Sequence, residues 1–348
     1  MKIYVFGAGA SLGSQNPEQI LTSSSRAPLV DELFNQRYRD LSLYMFSPTR
    51  FNELSNEIEE RKNKSVEDWL GEKWQRIETI NSLMVKKSEV NEFGHIVYYI
   101  WNVLRIVSNS YDENNIYTLF LKNLRQKGED FGIISFNYDT LLDRAFKQVF
   151  HRDFGSLDDY LEFNFIKPHG SINWLLGKRN TDSSIPVNND IQLRISKAMN
   201  QFFTNGPIPV DSLRVIDPPI EALRDADVAR VWSDLGMEYF YPLIFLPLAQ
   251  KQYGHIEGFQ EKVVAGGKAL IKKADEIFII GYRARDEIIK DLLLDAPEDA
   301  KLHIISNQNS IDILNDVKKW APHLKEATTN DGGFKAFNDI YFRKPGEF

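Results

Sequence analysis

The chain of 348 residues contains no cysteine. This excludes disulfides, a cysteine nucleophile and any thiolate zinc site. Histidine is scarce: His95, His151, His169, His255, His303 and His323 lie far apart, and no pair has the i, i+4 spacing of a helical metal site, so no metal is expected. No apolar run approaches the roughly 18 residues needed to cross a bilayer. Basic residues are not in excess. The net charge of −7 argues against broad electrostatic binding to nucleic acid or anionic lipid. The opening MKIYVFGAGAS runs from a short apolar stretch straight into a glycine loop, without the cleavage site of a signal peptide. The reading is a cytoplasmic protein with no membrane and no direct nucleic-acid partner. An anionic ligand would have to be held locally, by backbone amides and a helix N-terminus.

With 43% hydrophobic and 26% charged residues, the chain has a globular balance and can build a sizeable core. Short, nearly continuous apolar runs punctuate it: IYVF (3–6), FGIISF (131–136), LEFNFIKP (161–168), YPLIFLP (241–247), EIFIIG (276–281) and KLHIIS (301–306). Separated by helical stretches, such runs predict an α/β fold whose parallel sheet is covered by helices on both faces. Residues from about 28 to 128 carry apolar side chains at three- and four-residue spacing and read as a helical insertion. Residues from about 177 to 240 are polar and read as an insert of loops and short helices over the site. With no repeat or flexible linker, residues 1–348 are expected to pack as one domain carrying both inserts.

Chemistry-bearing residues follow the apolar runs. GAGAS (Gly7, Ala8, Gly9, Ala10, Ser11) follows the first strand, and Gly13 closes the turn. Glycines there allow a tight turn and close approach of a diphosphate to helix amides. The usual GxGxxG spacing is broken by Leu12, and a tight turn without ligand is the alternative. FGIISF leads into Asn137, Tyr138 and Asp139; LEFNFIKP leads into His169, Gly170 and Ser171; EIFIIG leads into Tyr282, Arg283 and Asp286; LHIIS leads to Asn307. In a doubly wound sheet, groups beyond the carboxyl ends of strands converge on one crevice. Singly, each has a bland alternative. Asn137 or Asp139 could cap the next helix, His169 could be a satisfied turn histidine, Tyr282 and Asp286 could pack, and Asn307 could be a turn residue.

Taken in order, GAGAS (7–11), FNYD (136–139), KPHGS (167–171), IIGY (279–282) and ISN (305–307) resemble the sirtuin superfamily, most nearly its bacterial antiphage branch of sirtuin-like NADases. The resemblance implies a Rossmann-like domain that takes NAD as its substrate. It implies that Asn137 orients NAD or water near the scissile ribose, Asp139 shapes the nicotinamide pocket, and His169 is the general base. Gly7, Ala8, Gly9, Ala10 and Ser11 would embrace the diphosphate, with Gly281, Tyr282 and Asn307 along the nucleotide; Asp286, outside these motifs, is read from its place after the strand as a ribose or phosphate contact. Two departures stand out. The four-cysteine zinc ribbon of protein-deacylating sirtuins has no counterpart, and Arg283 stands where the branch commonly has serine.

Cleaving the nicotinamide–ribose bond develops positive charge at C1′. A histidine titrating near neutrality can take the proton of an attacking water, and an asparagine amide can fix that water without adding charge. The expected activity is NAD hydrolysis in antiphage defence, by NAD depletion. A sirtuin-type deacylase and a catalytically silent module binding NAD or ADP-ribose are the rivals. A toxic NADase needs restraint, so a homo-oligomer or a separately encoded partner is expected. Trp69, Trp74, Tyr98, Tyr99 and Trp101 are a candidate contact surface, or simply the core of the insertion.

Overall fold

A computed structural model describes residues 1–342 apart from 17–18, 20, 23–24, 43–46, 62–64, 180–207, 217–236 and 246–255. Its contacts divide into two compact units: residues 1–20, 111–169 and 260–348, and residues 21–110 and 170–259.

The first unit is the α/β body. Its strands, in chain order, are β1 (Lys2–Phe6), β2 (Phe131–Ser135), β3 (Phe165–Ile166), β4 (Glu276–Ile280), β5 (Lys301–Ile305) and β6 (Ala327–Asn330). They form one sheet in the spatial order β6-β5-β4-β1-β2-β3, with every pairing parallel. Read from the other edge this is 3-2-1-4-5-6, the order of doubly wound dinucleotide-binding sheets, and it reverses between β1 and β4. The helices are α1 (Ala8–Leu12), α2 (Ile116–Lys127), α3 (Leu141–Phe150), α4 (Leu157–Glu162), α5 (Ala265–Ile271), α6 (Glu287–Leu294), α7 (Ser310–Trp320) and α8 (Gly333–Tyr341).

Strand alternation sends Tyr4 and Phe6 to one face and Ile3 and Val5 to the other, and all four are buried. Tyr4 meets Phe120 of α2 edge-on at 5.0 Å, and Phe6 meets Phe334 of α8 at 5.5 Å. On the opposite face, beside Ile3, Gly132 has no side chain because Leu270 of α5 already fills the place, 2.7 Å from where a Cβ would stand. Helices therefore cover both faces, as the apolar runs require. One expected run is shorter than its composition suggests, and one strand follows no run at all. Leu157–Glu162 is helical, started by a capping box between Ser156 and Asp159, so the third strand shrinks to Phe165–Ile166. Ala327–Asn330 (ATTN) is an edge strand with almost no apolar signal.

The second unit joins helices Pro48–Glu59, Val66–Thr79 and Leu83–Asn109 with a three-stranded antiparallel sheet made of Gly170–Arg179, Leu213–Val215 and Met237–Ile244. The run at 241–247 was expected in the parallel sheet. Residues 241–244 instead pair antiparallel with Gly170–Arg179, and 246–247 lie outside the described residues. Leu243, Ile244 and Phe245 are all buried, so the alternation that marks an ordinary antiparallel strand is missing. Most of the 177–240 insert is likewise outside the described residues. Trp69, Trp74, Tyr98, Tyr99 and Trp101 are buried: Phe34 packs against both Trp69 and Tyr99, and Trp101 donates to the Ile172 carbonyl at 2.8 Å. These aromatics are core, not a contact surface. Helix Ile116–Lys127, inside the expected insertion, belongs to the α/β unit.

Candidate active site

The loops after β1, β2, β3 and β4 all belong to the α/β unit and open at the end of the sheet where the strand order reverses. Two polar clusters form there.

The first is centred on Ser11, expected as a diphosphate contact. Its hydroxyl is buried and donates to Asp139 Oδ2 at 2.8 Å. It accepts from Asn137 Nδ2 at 2.9 Å and lies 3.1 Å from the hydroxyl of Tyr117, which Asn137 Nδ2 also reaches at 3.3 Å. Tyr117 was not anticipated. It sits in the first turn of α2, edge-on to Phe6 at 5.4 Å, and only the packing of α2 on the sheet brings it beneath the loop. Because Ser11 spends its proton on Asp139, its lone pairs receive the Asn137 NH2 group, which fixes the amide with its carbonyl turned away. Asn137 Oδ1 is buried and has no hydrogen-bond partner among the described residues. A buried acceptor left open costs free energy, which makes it a place to look for a ligand's hydroxyl or a water.

Asp139 Oδ1 accepts from the Leu141 amide at 3.1 Å, so Asp139 caps the start of α3 as well as anchoring Ser11. Burial pushes its carboxyl above the ordinary aspartate value, against the lowering effect of the Lys167 charge and the Ser11 bond. Lys167 is wholly buried. Its ammonium donates to the Asp139 carbonyl at 2.8 Å and to both oxygens of Asp143, at 3.2 and 3.0 Å, and Tyr160 adds a bond to Asp143 at 2.6 Å. This buried pair ties the 137–140 turn to α3 and to the chain two residues before His169.

The second cluster surrounds His169. The ring is buried, edge-on to Phe136 at 4.9 Å and stacked near Tyr138 at 5.8 Å. It bonds the backbone of Phe136, and its Nε2 stands 3.8 Å from Asp286 Oδ2. Burial lowers its pKa below the ordinary histidine value, partly offset by Asp286 and the Phe136 bond. Tyr282 stacks on Phe136 at 4.6 Å, and its buried hydroxyl has no partner among the described residues. Asp286 is the N-cap of α6: Oδ1 accepts from the amides of Ile288 and Ile289 at 2.9 and 3.1 Å. Arg283 is exposed.

The glycines have protein reasons. Gly281 adopts φ +61, and a Cβ there would stand 2.1 Å from the Ala10 nitrogen; one at Gly7 would meet Tyr282 Cβ at 2.5 Å, and one at Gly9 the Gly281 carbonyl at 2.9 Å. The Gly9 amide already donates to that carbonyl at 2.9 Å, and the Ala10 amide to Gly7 at 2.8 Å. Two amides expected to face an anion are thus engaged by the chain itself, and α1 is only five residues long. In the second unit Gly170 is left-handed at φ +77, where a Cβ would collide with the Leu243 carbonyl at 2.0 Å, so backbone approach accounts for glycine there. Asn307 stands further out, exposed after β5, its Oδ1 against Gly333, where a Cβ would be 1.9 Å away.

No protein-family model matches the chain, and no curated protein matches it. Solved structures do. The chain is similar to a sirtuin from work on the structural basis of sirtuin substrate affinity, at 14% identity and TM-score 0.42, over 100% of this chain and 94% of that one. It is similar to a Sir2 homologue in complex with NAD, at 16% identity and TM-score 0.43, over 98% of this chain and 88% of that one. A mutant Sir2 homologue bound to 2′-O-acetyl ADP-ribose aligns at 15% identity and TM-score 0.44, over 98% and 90% of the two chains.

Proposed function

We propose that this chain is an NAD glycohydrolase, cleaving NAD to nicotinamide and ADP-ribose, and that it serves antiphage defence by depleting NAD. The observation that carries the chemistry is the unpartnered, buried Asn137 Oδ1, held open by Ser11 and Tyr117 in the same unit as a buried histidine. The ordered series of five motifs supports NAD as the substrate, and the lack of cysteine argues against the zinc-ribbon deacylases. Asn137 Oδ1 accepts a hydrogen bond from the attacking water or a ribose hydroxyl. As the C1′–nitrogen bond breaks and nicotinamide leaves, water oxygen bonds to C1′ and its proton passes to His169, a transfer worth roughly 10²–10⁴-fold. Tyr282 closes the site beside the ring, and its unpartnered hydroxyl is a second open polar group for the nucleotide. Activity is restrained until a partner, a nucleotide signal or a higher oligomer releases it.

Incubating the purified chain with NAD, with and without an acetylated peptide and over a range of protein concentrations, tests the reading. Nicotinamide is released without peptide, His169→Ala abolishes release, and Asn137→Ala removes most of it while nucleotide still binds. Release only with peptide would assign a deacylase. Binding without turnover at every concentration would leave a binding module.

A further inference from the structure

Asp286 was expected along the nucleotide, yet both of its oxygens point to the protein. Oδ1 is held by the first free amides of α6, from Ile288 and Ile289, while Oδ2 is left facing His169 Nε2 at 3.8 Å, with the side chain only 18% exposed. We infer that Asp286 is a positioning residue for the reaction proposed above: its carboxylate, locked by the α6 N-terminus, orients His169 and stabilises the ring when it takes up the proton of the attacking water. The inference rests on that reading for its catalytic consequence, but not for the pairing itself.

Among the described residues, the titratable groups recorded against the imidazole are Asp286, the N-cap of α6, and the phenol of Tyr138 from the turn after β2. On the same loop and helix, Arg285 pairs with Asp316 at 3.9 Å and Glu287 with Lys290 at 2.6 Å, and Arg283 is exposed. The loop carrying Asp286 is held in a demanding conformation, with Ala284 buried and left-handed at φ 53 and Gly281 at φ 61. Such backbone persists where the surroundings fix it, and here it delivers one carboxylate oxygen to the ring.

Asp286→Asn separates the roles, because asparagine caps a helix as well as aspartate but carries no charge. The His169 ring protons, followed by NMR across pH in the full chain, report the pairing with no reference to catalysis. The expected result is a lower His169 pKa in Asp286→Asn, an unchanged unfolding midpoint, and nicotinamide release with kcat reduced roughly tenfold, KM little changed and the acid limb of its pH profile moved to lower pH. Asp286→Glu, which restores the charge, recovers part of kcat. An identical His169 titration in wild type and Asp286→Asn would overturn the inference. So would a rise in KM at constant kcat, which would return Asp286 to a nucleotide contact. If the wild-type chain releases no nicotinamide under any condition, the proposed function fails, while the titration still decides whether Asp286 governs His169.

Discussion

Replacing Ser11 by alanine removes one hydroxyl and strips partners from two buried groups at once. Asp139 Oδ2 loses the donor at 2.8 Å, keeping only the Leu141 amide on its other oxygen, and Asn137 Nδ2 loses its 2.9 Å acceptor, keeping the 3.3 Å contact to Tyr117. Ser11, Asn137 and Asp139 are all buried. A buried polar group left unsatisfied costs about 1–3 kcal/mol. Asp139 bears most of that cost, and the surviving bonds limit the rest, so the net loss should be about 2–4 kcal/mol. At roughly 2–4 °C per kcal/mol for a body of this size, the melting midpoint falls by about 4–16 °C. Urea unfolding of wild type, Ser11→Ala, Tyr117→Phe and the double variant measures the free-energy loss, and thermal unfolding the shift in midpoint. Ser11 and Tyr117 share Asn137 as a partner, so their costs should be non-additive by about 0.5–3 kcal/mol. A Ser11→Ala cost below about 0.5 kcal/mol, or strict additivity with Tyr117→Phe, would refute the network and with it the fixed amide of Asn137.

Lys167→Met should be among the most damaging single changes, at about 3–5 kcal/mol, because it leaves Asp143 buried and uncompensated; soluble protein with a near-normal urea midpoint would contradict the buried pair. Gly281→Ala and Gly128→Ala share a left-handed backbone, at φ +61 and +62, but only Gly281 has neighbours in the way. Gly128→Ala should therefore cost about 1–2 kcal/mol and Gly281→Ala distinctly more, and equal melting shifts would rule out the collision with Ala10. Burial holds the folded-state pKa of His169 below 6.5, so as pH falls through that region the unfolded chain binds a proton that the folded chain resists. Folding stability should drop as pH falls through and below about 6.5, by up to about 1.4 kcal/mol per pH unit from this group, and His169→Asn should show a smaller drop in parallel urea titrations.

The apolar runs at 3–6, 131–136, 276–281 and 301–306 were readable as buried strands, because period and punctuation are local properties of a chain. The third strand was overread. LEFNFIKP is as apolar as the others, but Ser156 and Asp159 start a helix ahead of it and take its first residues. The edge strand ATTN was invisible, since it gains its conformation from pairing with β5 rather than from its own composition. The run at 241–247 could not be assigned to a sheet from sequence, because a strand buried on both faces reads the same whether its partners are parallel or antiparallel.

The sequence by itself determined that a glycine loop, an Asn-x-Asp turn and a histidine–glycine pair would follow strands, and hence that an α/β body would gather polar groups at one end. Only the tertiary structure decided what those groups touch. The order β3-β2-β1-β4-β5-β6 places the loop after β4 against the loop after β1, so Gly7 and Gly9 are glycines because Tyr282 and Gly281 crowd them. Packing of α2 on Phe6 brings Tyr117 to Ser11 across more than a hundred residues, and the fold of the β4–α6 loop brings Asp286 to His169. Hydrogen bonds and ion pairs act over a few ångströms, and such distances between remote segments are set by sheet order and helix packing, which no local pattern encodes.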